Sequence, residues 1–484
     1  MTIGLSSFQN STSGMSGFGA GTDQDIAELS KALEAGYQTG AGKTGGSALR
    51  VESLEASLKV LTYTSSHIKL WKKIPKSPAY STVEEYNQLI NYGGNQNPFV
   101  QEGELPQATD TSYARRVQLV KFLGTTREVT HQASLVHPAH GDLIALENQS
   151  GILWLLEQVE RNLFAGDSSL SFDGEAEQWD GLDSLIDASS VLDLEGNSIQ
   201  EADMEEAANE IIENYGFPTD MFLGTRTMSD LVKTFYPRER VSLPAPQNGQ
   251  VGQSIQTIST QAGVIEFNPD VFIRQTSTPP AAATSPNAPA APAIIAAITP
   301  TGTSGDHNKG APTGTSNVNY VATACNRFGE SAPSPVQAAV EAQTQVNKDA
   351  GTYLPVSVDN APSVGAFPAE YLRIYRSSAT LAAGVPTDLS AYALVAQVPV
   401  ASQAASGTTV WNDENLTLPF TSTAYLGELT PSVLTFRQLM PMMKMDLAVL
   451  SPAYRWMILL YGTPILFAPK KWIRMINIGR LEVR

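Results

Sequence analysis

Three histidines that could bind a metal ion lie close together in the sequence, at His131, His137 and His140. Imidazole is a common metal ligand, but neither a cysteine nor a carboxylate stands beside these residues at a ligand spacing. The His137-Pro138 step indicates a loop, because the residue before a proline is disfavoured in helical backbone. We therefore interpret the three histidines as ordinary loop residues and predict no metal site here.

A run of carboxylates lies further along the chain. Its members are Asp173, Glu175, Glu177, Asp180 and Asp183, with Gly174 and Gly181 between them. A calcium loop of the EF-hand type needs oxygen ligands at alternate positions, followed by a glycine and a distal glutamate. This spacing is not met, so the run is interpreted as a solvated acidic loop.

The chain carries none of the short motifs that mark common catalytic sites. It contains no Gly-x-Ser-x-Gly nucleophile turn and no His-Glu-x-x-His zinc motif. The triplet Gly42-Lys43-Thr44 resembles the end of a phosphate-binding loop, but the first glycine and the preceding strand are missing. We predict no catalytic residue, no cofactor and no enzymatic activity.

The composition is that of a large globular chain with an acidic balance. The chain has 484 residues, of which 42% are hydrophobic, and a formal net charge of −17. This charge argues against a protein that reads nucleic-acid sequence, since such proteins normally carry a basic domain. The single cysteine, Cys325, excludes an intramolecular disulfide framework. No signal peptide is visible, and we expect synthesis in the cytoplasm.

The chain end is locally basic. Its basic residues are Lys470, Lys471, Arg474, Arg480 and Arg484, against the single acidic residue Glu482. We interpret this stretch as a solvated chain end.

The amino-acid composition of the chain changes abruptly at residues 275–293. This stretch is uncharged, rich in proline and alanine, and almost without bulky side chains, so it is predicted to be a semi-extended linker. A charge-poor region rich in threonine, alanine and valine follows. Near Thr430 the sequence becomes rich in methionine, tryptophan and arginine, unlike this region. The simplest interpretation is a β domain inserted into a host domain, with the host formed by the residues before 275 and after 430.

The host is predicted to be a mixed α+β domain preceded by a long arm. Apolar periodicity predicts helices at 25–35, 82–91, 142–164 and 228–235, and a further helix that begins at a capping box formed by Ser198 and Glu201 and runs to Asn214. Alternation predicts one long strand at 113–129, a hairpin at 254–260 and 264–267, and strands at 455–460 and 465–467. Together with the polar stretch 101–112, this long strand is predicted to form a two-stranded extension from the domain, which we call the excursion.

This order of elements resembles the major capsid proteins of tailed bacteriophages, which have the Hong Kong phage capsid fold. Local phrases support the resemblance, such as Trp-Asp-Gly-Leu-Asp-Ser-Leu-Ile at 179–186 and Gly-Phe-Pro-Thr-Asp-Met-Phe-Leu at 216–223. The resemblance covers roughly residues 45–275 and 430–484. It implies an N-terminal arm at 1–70, a capsid core with an extended loop, a peripheral domain and an axial domain at 71–275, and a return segment at 431–484.

The insert, placed at 276–430, is similar to fibronectin type III and related immunoglobulin-like modules. The resemblance rests on 318–334, where Tyr320, Ala322 and Ala324 are predicted to face inward, and on strands of period two at 371–376 and 392–398. Such a module is expected on an exposed face, either as a spacer or as a binding domain.

Together the two resemblances imply a subunit that assembles itself, as hexamers and pentamers, into an icosahedral shell around the double-stranded DNA of a tailed phage. The implied location is the virion capsid, after synthesis in the host cytoplasm. The implied partners are neighbouring subunits, the portal, and a scaffolding or decoration protein, without membrane contact. Weak, salt-sensitive contacts with DNA are expected from scattered basic groups, with Lys31, Lys43, Arg50 and Arg484 as candidates.

Some details of the capsid family are not transferred, and two other classes stay open. Certain members join a lysine to an asparagine between subunits, but no spacing pairs Lys121 with a particular asparagine here. A surface adhesin or receptor-binding protein is the main alternative, and a carbohydrate-active enzyme with an accessory β module is a third class. The arm and the excursion are expected to pack on neighbouring subunits, so that burial of Leu29, Leu33, Val117 and Leu119 depends on assembly.

Overall fold

The computed structural model describes residues 62–94, 97, 99–105, 108–136, 142–170, 178–235, 256–261, 263–273, 277–295, 318–336, 353–359, 367–377, 386, 388–400, 407–448 and 451–481. Several predictions fall outside these residues. They are the helix at 25–35, the arm up to residue 61, His137, His140, the acidic residues 173–177 and all four candidate DNA contacts. The elements below belong to one compact unit, Leu61–Leu135 with Leu143–Arg484.

Six α-helices lie within these ranges: α1 (Leu70–Lys73), α2 (His131–Leu135), α3 (Leu143–Ala165), α4 (Leu182–Leu185), α5 (Glu201–Glu213) and α6 (Thr225–Phe235). The strands of the same ranges are β1 (Lys76–Pro78), β2 (Val83–Asn91), β3 (Ser112–Leu119), β4 (Lys121–Thr130), β5 (Val191–Asp193), β6 (Asp220–Gly224), β7 (Thr257–Thr260), β8 (Gly263–Asp270), β9 (Ala293–Ile294), β10 (Tyr320–Asn326), β11 (Gly329–Glu330), β12 (Leu354–Asp359), β13 (Tyr371–Ser377), β14 (Tyr392–Pro399), β15 (Thr408–Asp413), β16 (Ser422–Gly427), β17 (Leu434–Asp446), β18 (Ala453–Leu466) and β19 (Trp472–Ile478). None of the described helices is long and apolar enough to span a bilayer.

The long helix predicted at 142–164 is confirmed as α3, and it packs on the four-stranded sheet β1-β17-β18-β4. Leu155, Val159 and Leu163 recur at helical spacing and are buried in one core with Trp456 and Ile458 of the sheet. Burial of this apolar stripe, at about 1.5–3 kcal/mol for each large side chain, holds the helix on the sheet.

Helix α3 ends where its last carbonyl groups find other donors. The Asn162 carbonyl oxygen accepts hydrogen bonds from the backbone N–H of Gly166 and from Nε1–H of Trp179, both at 3.0 Å. Gly166 is required here, because a Cβ at this position would lie 2.6 Å from the Trp179 carbonyl oxygen. The helix end is therefore tied directly to the segment that follows it.

A six-stranded sheet, β5-β19-β16-β6-β8-β7, forms the second core of the host together with α5 and α6. Helix α5 buries Met204, Ala207, Ala208 and Ile211, at the spacing that gives a helix one apolar face. The predicted hairpin at 254–267 is confirmed by the antiparallel pairing of β7 with β8.

The capping box predicted at Ser198 and Glu201 is wrong. The residue before the first helical turn of α5 is Gln200, whose backbone N–H donates to Oδ2 of Asp203 at 2.8 Å. Ile199 is 1% exposed, and its burial holds the preceding chain in the core, so that the helix begins two residues later than the pattern indicated.

The helix predicted at 82–91 is also wrong, because these residues form strand β2. Cross-strand pairing with β3 and an alternating burial pattern override the helical preference of residues such as Glu84 and Glu85. The single strand predicted at 113–129 is two strands, β3 and β4, which meet at the buried Val120 and pair with different partners. An extended two-stranded excursion exists, but its second strand comes from 83–91 and not from 101–112.

Residues 277–413, called the β module below, contain two facing sheets, β11-β10-β13-β14 and β15-β12-β9. Tyr320, Ala322 and Ala324 lie in one hydrophobic core with Val356 and Val358 of the other sheet, so their predicted inward orientation is confirmed. The strands predicted at 371–376 and 392–398 are confirmed as β13 and β14.

The described part of the proline- and alanine-rich stretch is not a free linker. The Ser277 carbonyl accepts the N–H of Leu394 at 2.9 Å, Thr284 N–H donates to the Glu330 carbonyl at 2.9 Å, and β9 pairs with β12. Backbone hydrogen bonds do not need bulky side chains, and small side chains let the segment approach the sheets closely. The stretch forms one border of the β module.

The chain leaves the six-stranded sheet after β8 and returns to it at β16, and both strands flank β6. Asp270 lies opposite Gly224, and Ala424 lies opposite Leu223, so exit and re-entry are at the same end of the sheet. Two strand spacings separate them by roughly 10 Å. Strand β16, Ser422–Gly427, is therefore part of the same six-stranded sheet as β6 and β8.

The two strands predicted at 455–460 and 465–467 are one continuous strand, β18. Pro464 does not interrupt it, because the pairing with β4 ends at Gly462 and no partner on that side needs an N–H from Pro464.

Candidate functional site

The residues singled out for chemistry in the sequence are occupied by structural contacts where the structure describes them. His131 begins α2 and its ring lies 6.0 Å from that of Tyr454. Asp180 Oδ1 accepts the N–H of Ser168 at 2.9 Å, and Asp183 Oδ1 accepts the hydroxyl of Tyr425 at 2.7 Å. Within the ranges given above, no three histidine, cysteine, aspartate or glutamate side chains are grouped to hold a metal ion.

The basic residues near the chain end are not simply solvated, which corrects the sequence interpretation. Arg474 lies on β19 and donates to the Asp183 carboxylate at 3.2 Å, and Lys471 Nζ lies 3.4 Å from Oε2 of Glu428. Both ion pairs are partly buried and fasten β19 to neighbouring segments. Strand β19 lies between β5 and β16 in the six-stranded sheet, which explains why Lys471 and Arg474 are paired.

The β2–β3 hairpin exposes large apolar side chains on a two-stranded sheet of its own. Exposure reaches 65% at Ile90 and 68% at Tyr113, and Val117 and Leu119 are also exposed in the single chain. The loop beyond the strands adds Phe99, which is 84% exposed. An isolated two-stranded hairpin is marginally stable in water, so this element needs a surface to pack on.

The base of the hairpin is held by contacts at one end of β18. The ring of Tyr86 meets that of Phe467 edge to face at 5.0 Å, and Gln88 Nε2 donates to the Phe467 carbonyl at 2.6 Å. The N–H of Val120 donates to the Thr82 carbonyl at 2.9 Å and closes the hairpin base. These contacts direct the hairpin past the end of the four-stranded sheet.

A second apolar surface lies on the side of that sheet opposite α3, and we call it the methionine face. It has three rungs of directly opposed residues, Met440–Tyr461–Phe122, Met443–Leu459–Gly124 and Met445–Met457–Thr126. Opposed residues in a sheet point to the same side, so these side chains form one surface.

The methionine face is shaped by aromatic packing and by a glycine. Phe122 and Tyr461 meet edge to face at 4.8 Å, yet Phe122 stays 59% exposed. A Cβ on Gly124 would lie 2.6 Å from Cδ2 of Leu459, so the glycine lets Leu459 lie across β4. Methionine side chains are flexible and polarizable and adapt well to a partner surface.

The sequence reasoning missed the methionine face, although a signal was present. The run Met-Pro-Met-Met-Lys-Met at 440–445 places four methionines within six residues. Such a run on a strand indicates an adaptable apolar surface.

Two carboxyl groups, Glu160 and Asp270, are buried in the host core, and each is 0% exposed. Glu160 Oε1 accepts the N–H of Lys69 at 2.8 Å and of Leu70 at 2.6 Å, and Oε2 accepts that of Trp71 at 2.9 Å. Burial, together with the neighbouring Asp270 carboxyl, raises the pKa of Glu160 to about 8. Glu160 lies on the apolar stripe of α3, which was the signal in the sequence that it needs a partner.

A second buried polar group joins the two sheets of the β module. Asp413 Oδ2 on β15 accepts the hydroxyl of Tyr320 on β10 and an Nη1–H of Arg376 on β13, both at 2.6 Å. Arg376 also donates to the side-chain oxygen of Asn415 at 2.8 Å. Burial raises the pKa of Tyr320 well above its usual value. The network is structural, since Tyr320, Arg376 and Asp413 are all buried.

Comparison with known proteins identifies similar chains. The family model described as "SU10 major capsid protein" matches residues 27–290, more than half of the chain. The chain is 28% identical over 472 residues to the major capsid protein of Staphylococcus phage S25-3, covering 95% of this chain and 97% of that protein. It is 28% identical over 470 residues to a putative major capsid protein of Enterococcus phage phiEF24C, covering 94% and 97% respectively.

Among solved structures, the capsid of the cyanophage P-SCSP1u is similar with a TM-score of 0.43 and 8% identity, over 91% of this chain and 97% of that one.

Proposed function

We propose how copies of this chain, which belongs to the SU10 major capsid protein family, pack together to build a viral shell. A major capsid protein of a tailed phage is the repeated structural subunit of an icosahedral capsid, and the virion is its place. We infer that this subunit forms hexamers and pentamers around packaged double-stranded DNA. One observation carries the proposal: the hairpin and the methionine face both leave large apolar side chains in water in the single chain.

The two surfaces suit one another chemically. Each is apolar, each belongs to a sheet, and each leaves large side chains exposed, such as Val117 in the hairpin and Met443 on the methionine face. The base contacts at Phe467 direct the hairpin away from the rungs at Met457 and Leu459, so the hairpin cannot cover the methionine face of its own chain. We propose that the hairpin of one subunit packs on the methionine face of a neighbour.

The energy available from such a contact is large enough to drive assembly when it is repeated. Full burial of an apolar side chain contributes about 1.5–3 kcal/mol, and several exposed side chains lie on each surface. Association costs about 4–15 kcal/mol in lost freedom, so a single contact is weak. A shell repeats the contact around every subunit, and the sum of many weak contacts gives a stable particle.

We propose that the β module is an immunoglobulin-like or fibronectin type III-like domain on the outside of the shell. Its two antiparallel sheets around a shared core support the fold assignment. Its chain leaves and re-enters at one end of the host sheet, so the module can project from the host without interrupting it. It acts either as a spacer or as a binding domain.

The remaining partners follow from the family and are part of the proposal. We expect contacts with the portal and with a scaffolding or decoration protein, and weak, salt-sensitive contacts with DNA. The net charge of −17 makes strong phosphate binding by the whole subunit unfavourable.

The test places one charge on each proposed surface. Val117→Asp in the hairpin and Met443→Asp on the methionine face should yield folded subunits that do not assemble, because a carboxylate would be desolvated in the contact. Val410→Asp is the matched control, since Val410 is 56% exposed on β15 and lies outside both surfaces. Circular dichroism would verify folding, and sedimentation with negative-stain microscopy would measure assembly. Normal shells from both test variants would refute the proposed contact.

A further inference from the structure

We propose that two ion pairs, one on the β2–β3 hairpin and one at the end of the methionine face, meet across the contact between two copies of this chain and fix its register. The inference rests on the proposed packing of one subunit's hairpin on the methionine face of a neighbour. Arg115 of the hairpin then lies against Glu128 of the neighbour. Glu85 of the same hairpin lies against Arg455 of that neighbour.

The hairpin turns one of its two faces toward its own subunit. Successive residues of a strand point to opposite sides of a sheet, and Tyr86 and Gln88, which contact Phe467, lie on the same side. The other side, which we call the free face, has four rungs of opposed residues: Val83–Leu119, Glu85–Val117, Asn87–Arg115 and Leu89–Tyr113. The five apolar side chains of these rungs are all exposed in the single chain. The free face is therefore the one that a neighbour can cover.

The free face carries one ion pair among its apolar side chains. Nε of Arg115 lies 3.3 Å from Oε2 of Glu85, and the two side chains are 68% and 45% exposed. They are the two charged residues among the eight that form the rungs. Such an exposed pair contributes little to the stability of its own chain, because water competes with it. Its remaining N–H donors and carboxylate lone pairs can serve a partner.

The methionine face ends in an ion pair of the same kind. Glu128 on β4 lies directly opposite Arg455 on β18, one rung beyond Thr126–Met457. Nη2 of Arg455 donates to Oε1 of Glu128 at 3.0 Å, and the two side chains are 37% and 44% exposed. The register between β4 and β18 is unbroken, so this pair points to the same side of the sheet as the methionine rungs.

The two ion pairs lie at the same spacing from an apolar rung. Arg115 is two residues from Tyr113 on β3, and Arg455 is two residues from Met457 on β18. Two residues of a strand span roughly 7 Å. When the charges of the hairpin lie over those of the neighbour, the rung Leu89–Tyr113 therefore lies over Met457.

The charges supply a register that the apolar side chains cannot. Hydrophobic burial has no direction, and methionine side chains adapt to many partner shapes. A hairpin that slips by one rung would place an apolar side chain over each ion pair and desolvate its charges without compensation. A hairpin that packs in the reverse direction would bring like charges together. Both mispairings are disfavoured, so one arrangement of neighbours is selected.

The test reverses the polarity of each ion pair without removing it. The hairpin variant carries Glu85→Arg with Arg115→Glu, and the face variant carries Glu128→Arg with Arg455→Glu. Each variant alone would bring like charges together and should assemble about tenfold more slowly than the natural chain. The variant with all four substitutions brings opposite charges together again and should assemble within about twofold of the natural rate. Circular dichroism would verify folding, and sedimentation at successive times with negative-stain microscopy would measure assembly.

The reversal of a third ion pair, Lys444→Asp with Asp446→Lys, is the matched control. The two side chains lie 3.0 Å apart and are 39% and 79% exposed. Lys444 lies opposite Ile458, which is buried in the core with α3, so this pair is on the other side of the same sheet. The control variant should assemble at the natural rate.

An equal mixture of the hairpin variant and the face variant gives a second readout. Each reversed surface meets its complement in the other chain, so the mixture should assemble faster than either variant alone. Charge matching is overturned if both variants assemble at the natural rate, or if neither the fourfold variant nor the mixture recovers. These results would leave the apolar contact standing as long as Val117→Asp and Met443→Asp block assembly. If those two variants assemble normally, the contact itself is wrong, and the charge matching is wrong with it.

Discussion

Replacing Asp413 by alanine should open the β module by removing the group on which its two sheets meet. Asp413 is the acceptor for Tyr320 and Arg376, and its Oδ1 also accepts the N–H of Asn415 at 2.9 Å. The side chains of Arg376 and Asp413 are 7% and 2% exposed. After the substitution, the Arg376 guanidinium would remain buried without a counter-charge.

The magnitude follows from the kind of contact that is lost. Breaking a buried ion pair by removing one partner costs about 3–5 kcal/mol, whereas losing one ordinary hydrogen bond costs about 1 kcal/mol. We therefore expect Asp413→Ala to destabilise the module by about 4 kcal/mol, and Tyr320→Phe by about 1 kcal/mol. Adding Arg376→Met to Asp413→Ala should recover part of the loss, because no unpaired charge stays in the core.

Native-state hydrogen exchange of the full chain is the suitable assay, since it reports the opening of β10 and β13 without isolating the module. Amides of α3 in the host serve as the internal control and should be unchanged. If Asp413→Ala and Tyr320→Phe cost the same, or if adding Arg376→Met deepens the loss, the network does not work as an ion pair and the reasoning fails.

Three further predictions concern separate parts of the chain. Gly427→Ala should destabilise the six-stranded sheet by about 1–3 kcal/mol, because the new Cβ would overlap the Trp472 ring; thermal unfolding of the full chain would measure this, and an unchanged midpoint would contradict it. Burial raises the pKa of Cys325 to about 12, so the folded chain should resist thiol reagents at pH 8 and react only once unfolded; rapid labelling of the folded chain would disprove this. Deleting residues 277–415 and joining the ends through a short Gly/Ser linker should leave a soluble host that still assembles, since exit and re-entry are roughly 10 Å apart; sedimentation would detect the particles, and insoluble chains would show that the module is integral to the core.

Secondary structure was predicted best for helices and strands that bury one face in a core. The apolar stripe of α3 and the alternation of β13 and β14 were readable because their periods match helix and strand geometry. Prediction failed where long-range pairing decided the outcome. Residues 82–91 have a local preference for helix, and only pairing with β3 makes them a strand.

The candidate sites were less predictable than the fold. The methionine face depends on the register of three strands from distant parts of the chain, so its position could not be predicted from the sequence. The hydrogen bond from the N–H of Leu70 to Glu160 joins residues that lie 90 positions apart in the chain. The methionine run and the polar Glu160 on an apolar stripe are local signals, but neither identifies the partner, because both arrangements arise only when the sheets and α3 have packed.

The position of β16 and β17 in the chain has a consequence for synthesis on the ribosome. Strand β16 lies between β6 and β19 in the host sheet, yet it is made about 150 residues after β8, which at 5–20 residues per second is a delay of roughly 10–30 s. During that time β6 has no neighbour on the side that β16 will occupy, and the β module is completed before β16 is made. The methionine face comes last, from β17 and β18, so a chain released early carries the hairpin but not the surface that receives a neighbour's hairpin. Unfinished chains would therefore be unable to hold a neighbour in a growing shell.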